Sequence, residues 1–164
     1  MNHPGSTDFD VKDRLAIINL INGYADCFDK NDLEQWYTLF TDDKECTTYL
    51  SDSDPVVVSG NGFEEMFSRH RGGMATAGIQ PMHANTNLNI QEQTSDRALA
   101  ETYMLYIPME IADFNDGEKT QNETKITGTA RYVFNLLKGD DGTWRIDNYT
   151  ITYFQKVVEK TAVM

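Results

Sequence analysis

The stretch Val11-Lys-Asp-Arg-Leu-Ala-Ile-Ile-Asn-Leu-Ile-Asn-Gly-Tyr-Ala-Asp-Cys-Phe-Asp-Lys-Asn-Asp32 decides the fold. Val11, Leu15, Ile18, Ala25 and Phe28 recur at helical spacing, and Ile17, Leu20, Ile21 and Tyr24 widen the stripe. A helix apolar over that much of its circumference has to be buried against a larger apolar surface. Its pattern stops at Asp29, an acid at the end where the helix dipole carries partial negative charge, so this carboxylate stands at an electrostatic cost. Asn31 then reads as the N-cap of a second helix, with Glu34 as its capping-box partner. Leu33, Trp36, Tyr37 and Phe40 give that helix an apolar face to about Phe40.

The larger apolar surface lies downstream. Residues 45–50 and 56–59 flank the turn Ser51-Asp-Ser-Asp-Pro55 and read as a hairpin. Residues 62–69 suggest a short third helix with Phe63, Met66 and Phe67 inward, and the Gly-rich stretch 72–81 a loop or broken helix. Long strands follow at residues 82–92, 98–111, 125–138 and 144–155, with Gly139-Asp-Asp-Gly142 as a tight turn. Helices first and an antiparallel meander last make an α+β fold. The expectation is a cone of about three N-terminal helices on a strongly curved, mixed or antiparallel sheet of about six strands. Residues 1–8 read as a loose arm, 9–156 as one domain and 157–164 as a tail.

Charge and composition narrow the partners. The chain of 164 residues carries a net charge of −12, with the acids gathered in turn-like runs such as Asp113 to Glu118. Such a surface repels phosphate backbones and anionic membranes, so neither nucleic acid nor membrane is expected as a partner. No 18-residue apolar run and no secretory pattern is present, and Cys27 and Cys46 do not form a disulfide framework. A cytoplasmic protein is expected. There is no CxxC, HExxH, P-loop or dinucleotide fingerprint, and one of three histidines lies in the arm, so no metal and no cofactor is expected.

Residues 13–49, from Asp-Arg-Leu-Ala-Ile-Ile-Asn through Leu-Phe-Thr-Asp-Asp, and the closing Gly142-Thr-Trp-Arg-Ile-Asp147, resemble SnoaL-like proteins of the nuclear-transport-factor-2-like superfamily. The resemblance covers about residues 10–155 and implies the cystatin-like cone. Within it the pattern is nearest to scytalone dehydratase and the hexachlorocyclohexane dehydrochlorinase type. Both use an aspartate at the end of the first helix and a histidine at the start of a strand after the third. By position these are Asp29 and His83, the latter in Gln80-Pro-Met-His-Ala-Asn-Thr-Asn87. The chain departs from scytalone dehydratase at Phe28, Met109 and Phe134, where the relative carries polar groups. Tyr49, or else Thr48, corresponds to a pocket tyrosine. These changes point to a larger or greasier substrate.

An imidazole titrates near working pH and suits general-base work, and a carboxylate on one ring nitrogen fixes its tautomer. On residues alone His83 reads as a structural histidine before a strand; the resemblance makes it a base, with Asp29 as its orienter and Asp26, one turn earlier, as the rival. His70, in Arg69-His-Arg71, reads as part of a solvated helix end. On the strand, Asn85 alternates onto the same face as His83 and is a candidate hydrogen-bond partner for substrate. If Met109 faces inward, Tyr103 does too; if Phe134 does, so does Tyr132. Tyr24, Phe28 and Tyr149 complete the candidate wall. Tyr49 or a water would supply the acid.

The expected activity is that of a cofactor-independent lyase or isomerase on a hydrophobic cyclic small molecule, its pocket walled by the residues just named. The alternatives are a polyketide-cyclase-like aldol catalyst and a non-catalytic small-molecule-binding module. A homodimer or homotrimer is expected from the family's exposed sheet face.

Overall fold

A computed structural model describes residues 5–6, 8–50, 54–110 and 126–154 of the chain. Parts of the expected arm, the hairpin turn at 51–53, the acidic run Asp113 to Glu118, the strand ends Ile111 and Lys125, and the tail with Gln155 lie outside the described residues. The elements in chain order are α1 (Val11–Asp29), α2 (Leu33–Tyr37), β1 (Phe40–Tyr49), β2 (Val56–Ser59), α3 (Gly60–Thr76), β3 (Ile79–Gln93), β4 (Arg97–Glu110), β5 (Gly128–Lys138) and β6 (Trp144–Tyr153). The strands form one sheet in the order β2-β1-β6-β5-β4-β3. All pairings are antiparallel except β1 with β6, which makes the sheet mixed. Register shifts on β3 and β6 bend it around the helices, because a bulged strand kinks and twists more strongly.

α1 buries Ile17, Leu20, Ile21, Tyr24, Ala25 and Phe28. Val11 and Leu15, placed on the same stripe by spacing alone, are exposed, because they lie on the far side of the helix from the Ile17, Ile21 and Phe28 face that is buried. The helix starts on Asp10, whose side chain accepts from Asp13 N–H at 2.9 Å. It ends on Asn31, whose φ of 61° takes the left-handed conformation that closes a helix. Asn31 N–H donates to Phe28 O (3.1 Å) and Asp32 N–H to Cys27 O (2.9 Å), the paired bonds of a Schellman closure. The α2 cap is therefore Asp32, which accepts from Gln35 N–H at 3.2 Å, and not Asn31 with Glu34. α2 is only five residues long and β1 begins already at Phe40.

Trp36 is the plug of the core. It is fully buried, its Nε1 donates to Tyr24 O at 2.9 Å, and its ring packs on Tyr24, Phe28, Phe40, Phe63 and Phe67. α3 extends to Thr76 before Gly78, at φ 67°, turns the chain into β3. The expected loop over 72–81 is thus helix and strand. Phe63, Phe67, Arg71 and Met74 continue one face past the two glycines, and that burial outweighs glycine's weak helix propensity. Among the described residues no helix is long and apolar enough to cross a membrane. Cys27 and Cys46 are free thiols, as the sequence implies.

Candidate active site

The end of α1 is held by side chains from two other elements. Arg71 of α3, 4% exposed, donates from Nε to Phe28 O and from Nη2 to Asp29 O, both at 3.0 Å. Gln80 of β3 donates to Asp29 O at 2.7 Å. A guanidinium at the negative end of the dipole answers the electrostatic cost that Asp29 imposes there. With its backbone fixed, Asp29 turns its carboxylate to β3. Oδ1 lies 2.5 Å from His83 Nδ1, and Oδ2 accepts the backbone N–H of His83 at 2.7 Å. One carboxylate thus grips both the ring and the main chain of a single histidine. The two side chains are only 14% and 16% exposed, so water competes weakly for these bonds. With the carboxylate as acceptor, Nδ1 carries a proton, and in the neutral ring the lone pair is then on Nε2.

His83 lines a cavity of about 510 Å³, within the range of small-molecule sites. His70 and Met74 come from α3, Met104 and Tyr106 from β4, Gly128 and Tyr132 from β5, and Leu50 and Tyr153 from the ends of β1 and β6. Phe28 underlies both histidines, edge-on to His83 at 5.7 Å and stacked with His70 at 6.4 Å. His70 sits at the rim with one side exposed. Burial of the other side, then the His83 and Arg71 charges, lower its pKa and favour the neutral ring. Burial and, second, the Asp29 carboxylate raise the Tyr106 pKa, which keeps that phenol protonated. Burial does the same for Tyr132 and Tyr153.

The structure separates the other sequence candidates. Tyr132 lines the cavity, but Tyr24, Phe134 and Tyr149 lie in the buried aromatic cluster behind it, their rings 5.4–5.6 Å apart. Tyr49 is 43% exposed, on the opposite strand face from buried Cys46, and Thr48 is not part of the lining either; Leu50 is. Met109 and Tyr103 fall on the face of β4 opposite Met104 and Tyr106, because β3 and β4 pair without a shift from Ile79 to Thr86. Tyr103 is 39% exposed. Asn85 shares the His83 face but turns to α1, donating to Ile21 O at 3.2 Å. Asn87, at φ 53°, sits in the bulge that resets the alternation, so that Ile90 becomes core. His70 is exposed, as its charged neighbours suggest, but it lies six residues before the end of α3 and one side of it lines the cavity. Its signal was the spacing Phe63, Phe67, His70, Met74, a helical face reaching past Gly72-Gly73.

Helices on one face of a curved mixed sheet, with a cavity between them, make the cystatin-like class of the nuclear-transport-factor-2-like fold. The chain belongs to the SnoaL-like domain family, whose model matches residues 10–150. No protein of curated function matches it. Three solved structures, all from Novosphingobium aromaticivorans, share the fold. One is described as a nuclear-transport-factor-2-like protein with a cystatin-like fold (14% identity, 90% of this chain and 86% of that chain covered, TM-score 0.69). A candidate scytalone dehydratase is 19% identical, with 92% and 89% covered and a TM-score of 0.66. The β subunit of a candidate aromatic-ring-hydroxylating dioxygenase is 24% identical, with 85% and 88% covered and a TM-score of 0.62.

Proposed function

We propose that the protein is a lyase or isomerase in which His83 removes a proton from an activated carbon of a hydrophobic cyclic small molecule. The observation that carries this reading is the double grip of Asp29 on His83. It leaves Nε2 as the only basic nitrogen of a ring whose position and tautomer are both fixed. Nε2 takes the C–H proton, and the electron pair moves into the adjacent activating group. The imidazolium so formed is stabilised by the Asp29 carboxylate at 2.5 Å. Return of the proton to another carbon completes an isomerisation. Delivery of it to a leaving hydroxyl releases water and completes a dehydration. The apolar walls and the fold likeness to a candidate scytalone dehydratase support a ring-containing substrate and the second outcome.

Proton abstraction is read without knowing the natural product. A panel of hydrophobic cyclic compounds with activated C–H bonds, incubated in heavy water, should show deuterium exchange by NMR with the wild-type protein. His83→Ala should lower that rate by about 10²–10⁴-fold, the range for a positioned general base. Exchange at the wild-type rate in His83→Ala refutes the role of His83. Binding without exchange by the wild type favours the binding-module reading instead.

A further inference from the structure

The inward side chains of β5 shrink toward the mouth of the cavity. Leu136, Phe134 and Tyr132 are large and buried, and they fill the deep end. Ala130 and Gly128 follow on the same strand face, and both lie in the cavity wall. The cavity thus opens where the side chains of β5 become small, and Gly128 is the outermost step. The strand registers set Gly128 abreast of Tyr106, and Tyr106 abreast of His83, so the three form one row across β5, β4 and β3. Two strand spacings put Gly128 about 10 Å across the sheet from His83.

The backbone gives no reason for a glycine at this position. The left-handed glycines are Gly60, Gly78 and Gly142, and Gly128 is not one of them. No main chain packs over it among the described residues. An added Cβ would meet Tyr106 alone, 3.5 Å from its Cβ and 3.9 Å from its Cδ1, which is ordinary contact. Glycine inside a strand loses more chain entropy on folding than other residues and adds no packing. A side chain would therefore fit here and stabilise the strand, yet the position is left as open cavity.

We propose that Gly128 is the specificity-determining position of this site: its missing side chain admits the apolar part of a substrate that reaches from His83 across Tyr106 toward β5, and so sets how wide a ring system the cavity takes. The inference rests on this cavity being the substrate site of the reaction given above. A flat group over the row stacks on the Tyr106 ring and meets the β5 backbone where a side chain would stand. Any side chain at position 128 projects into that layer. A narrow ligand keeps its place beside His83, and a wide one is displaced.

The test compares phenol with 2-naphthol, which shares the hydroxyl and adds one fused ring, by NMR titration. The wild type should bind 2-naphthol about tenfold or more tightly than phenol, because the second ring buries several more carbons. Gly128→Ala should raise the urea midpoint, weaken 2-naphthol binding about tenfold and leave phenol within about twofold. Gly128→Val should remove the preference altogether. An unchanged preference in Gly128→Ala overturns the inference. So does a lower urea midpoint in that variant, which would make the glycine a requirement of the strand. A wild type that binds both ligands alike, or neither, overturns it as well. The readout involves no proton transfer and so separates from the role of His83. His83→Ala should lose deuterium exchange and keep the preference for 2-naphthol. A wild type with the preference but no exchange refutes the base and leaves Gly128 in its role.

Discussion

Asp29 shows how a single charge fixes a chemical role. Its two oxygens accept from two different donors of His83, so an isosteric amide cannot replace it. In Asp29→Asn the amide oxygen can serve the backbone N–H, but the NH2 group then faces Nδ1 as a donor. The ring must answer by moving its proton to Nε2, and the base becomes a donor. Asp29→Asn should therefore lower proton exchange by about 10²–10⁴-fold, nearly as much as His83→Ala. Nitrogen-15 NMR of the His83 ring should show the tautomer inverted; an unchanged tautomer with lost activity would sink this account. Pattern alone located Asp29 at a helix end, but it was the family resemblance that joined it to His83, which lies four residues inside β3. Tyr49, Tyr103 and Met109 were not legible, because a one-residue difference in strand register moves a side chain to the other face of the sheet.

At the scale of elements, the site depends on how α1 ends. Asn31 holds the left-handed residue of the closure, two positions after Asp29. Asn31→Ala puts an ordinary Cβ into that conformation and should cost about 1 kcal/mol. Asn31→Gly should be neutral or stabilising, and the two are compared by urea midpoint. Arg71→Met keeps the bulk of the side chain and removes its two carbonyl bonds. Each carbonyl keeps another donor, Asn31 N–H for Phe28 and Gln80 for Asp29, so the stability loss should be about 1–2 kcal/mol. Exchange activity should fall further than that loss of fold explains, since Asp29 would lose the anchor that aims it. A variant with full activity and lower stability would mark Arg71 as structural only. The sequence carried α1 and the strand count plainly, because burial on one face writes strong periodicity. It hid the second half of α3, where Gly72-Gly73 and the charged Arg69-His-Arg71 look like an ending. It also hid the parallel β1–β6 pair, since nothing local to either strand records which neighbour it takes.

The whole molecule carries a net charge of −12, and its pH response follows from where that charge is paired. Lys138 holds the Asp13 carboxyl below its ordinary range, Arg131 does so for Glu101 and Arg145 for Asp141. Acids depressed in the fold add stability above their ordinary pKa, and that contribution is lost as pH falls through the folded values. His70 acts earlier on the same downward path. Its folded pKa lies below the ordinary 6.5 because of burial and the facing His83 and Arg71 charges. Below 6.5 the unfolded chain takes up a proton there while the folded chain does not, so stability falls with acidification until the folded value is passed. Above 6.5 the two states bind equally and the contribution is flat. The denaturation midpoint of the wild type should therefore decline as pH falls below about 6.5, before the carboxylates titrate. His70→Gln removes the titrating ring and keeps a polar side chain at the rim, so its midpoint should change less over the same interval. An equal decline in both proteins would assign the acid sensitivity to groups other than His70.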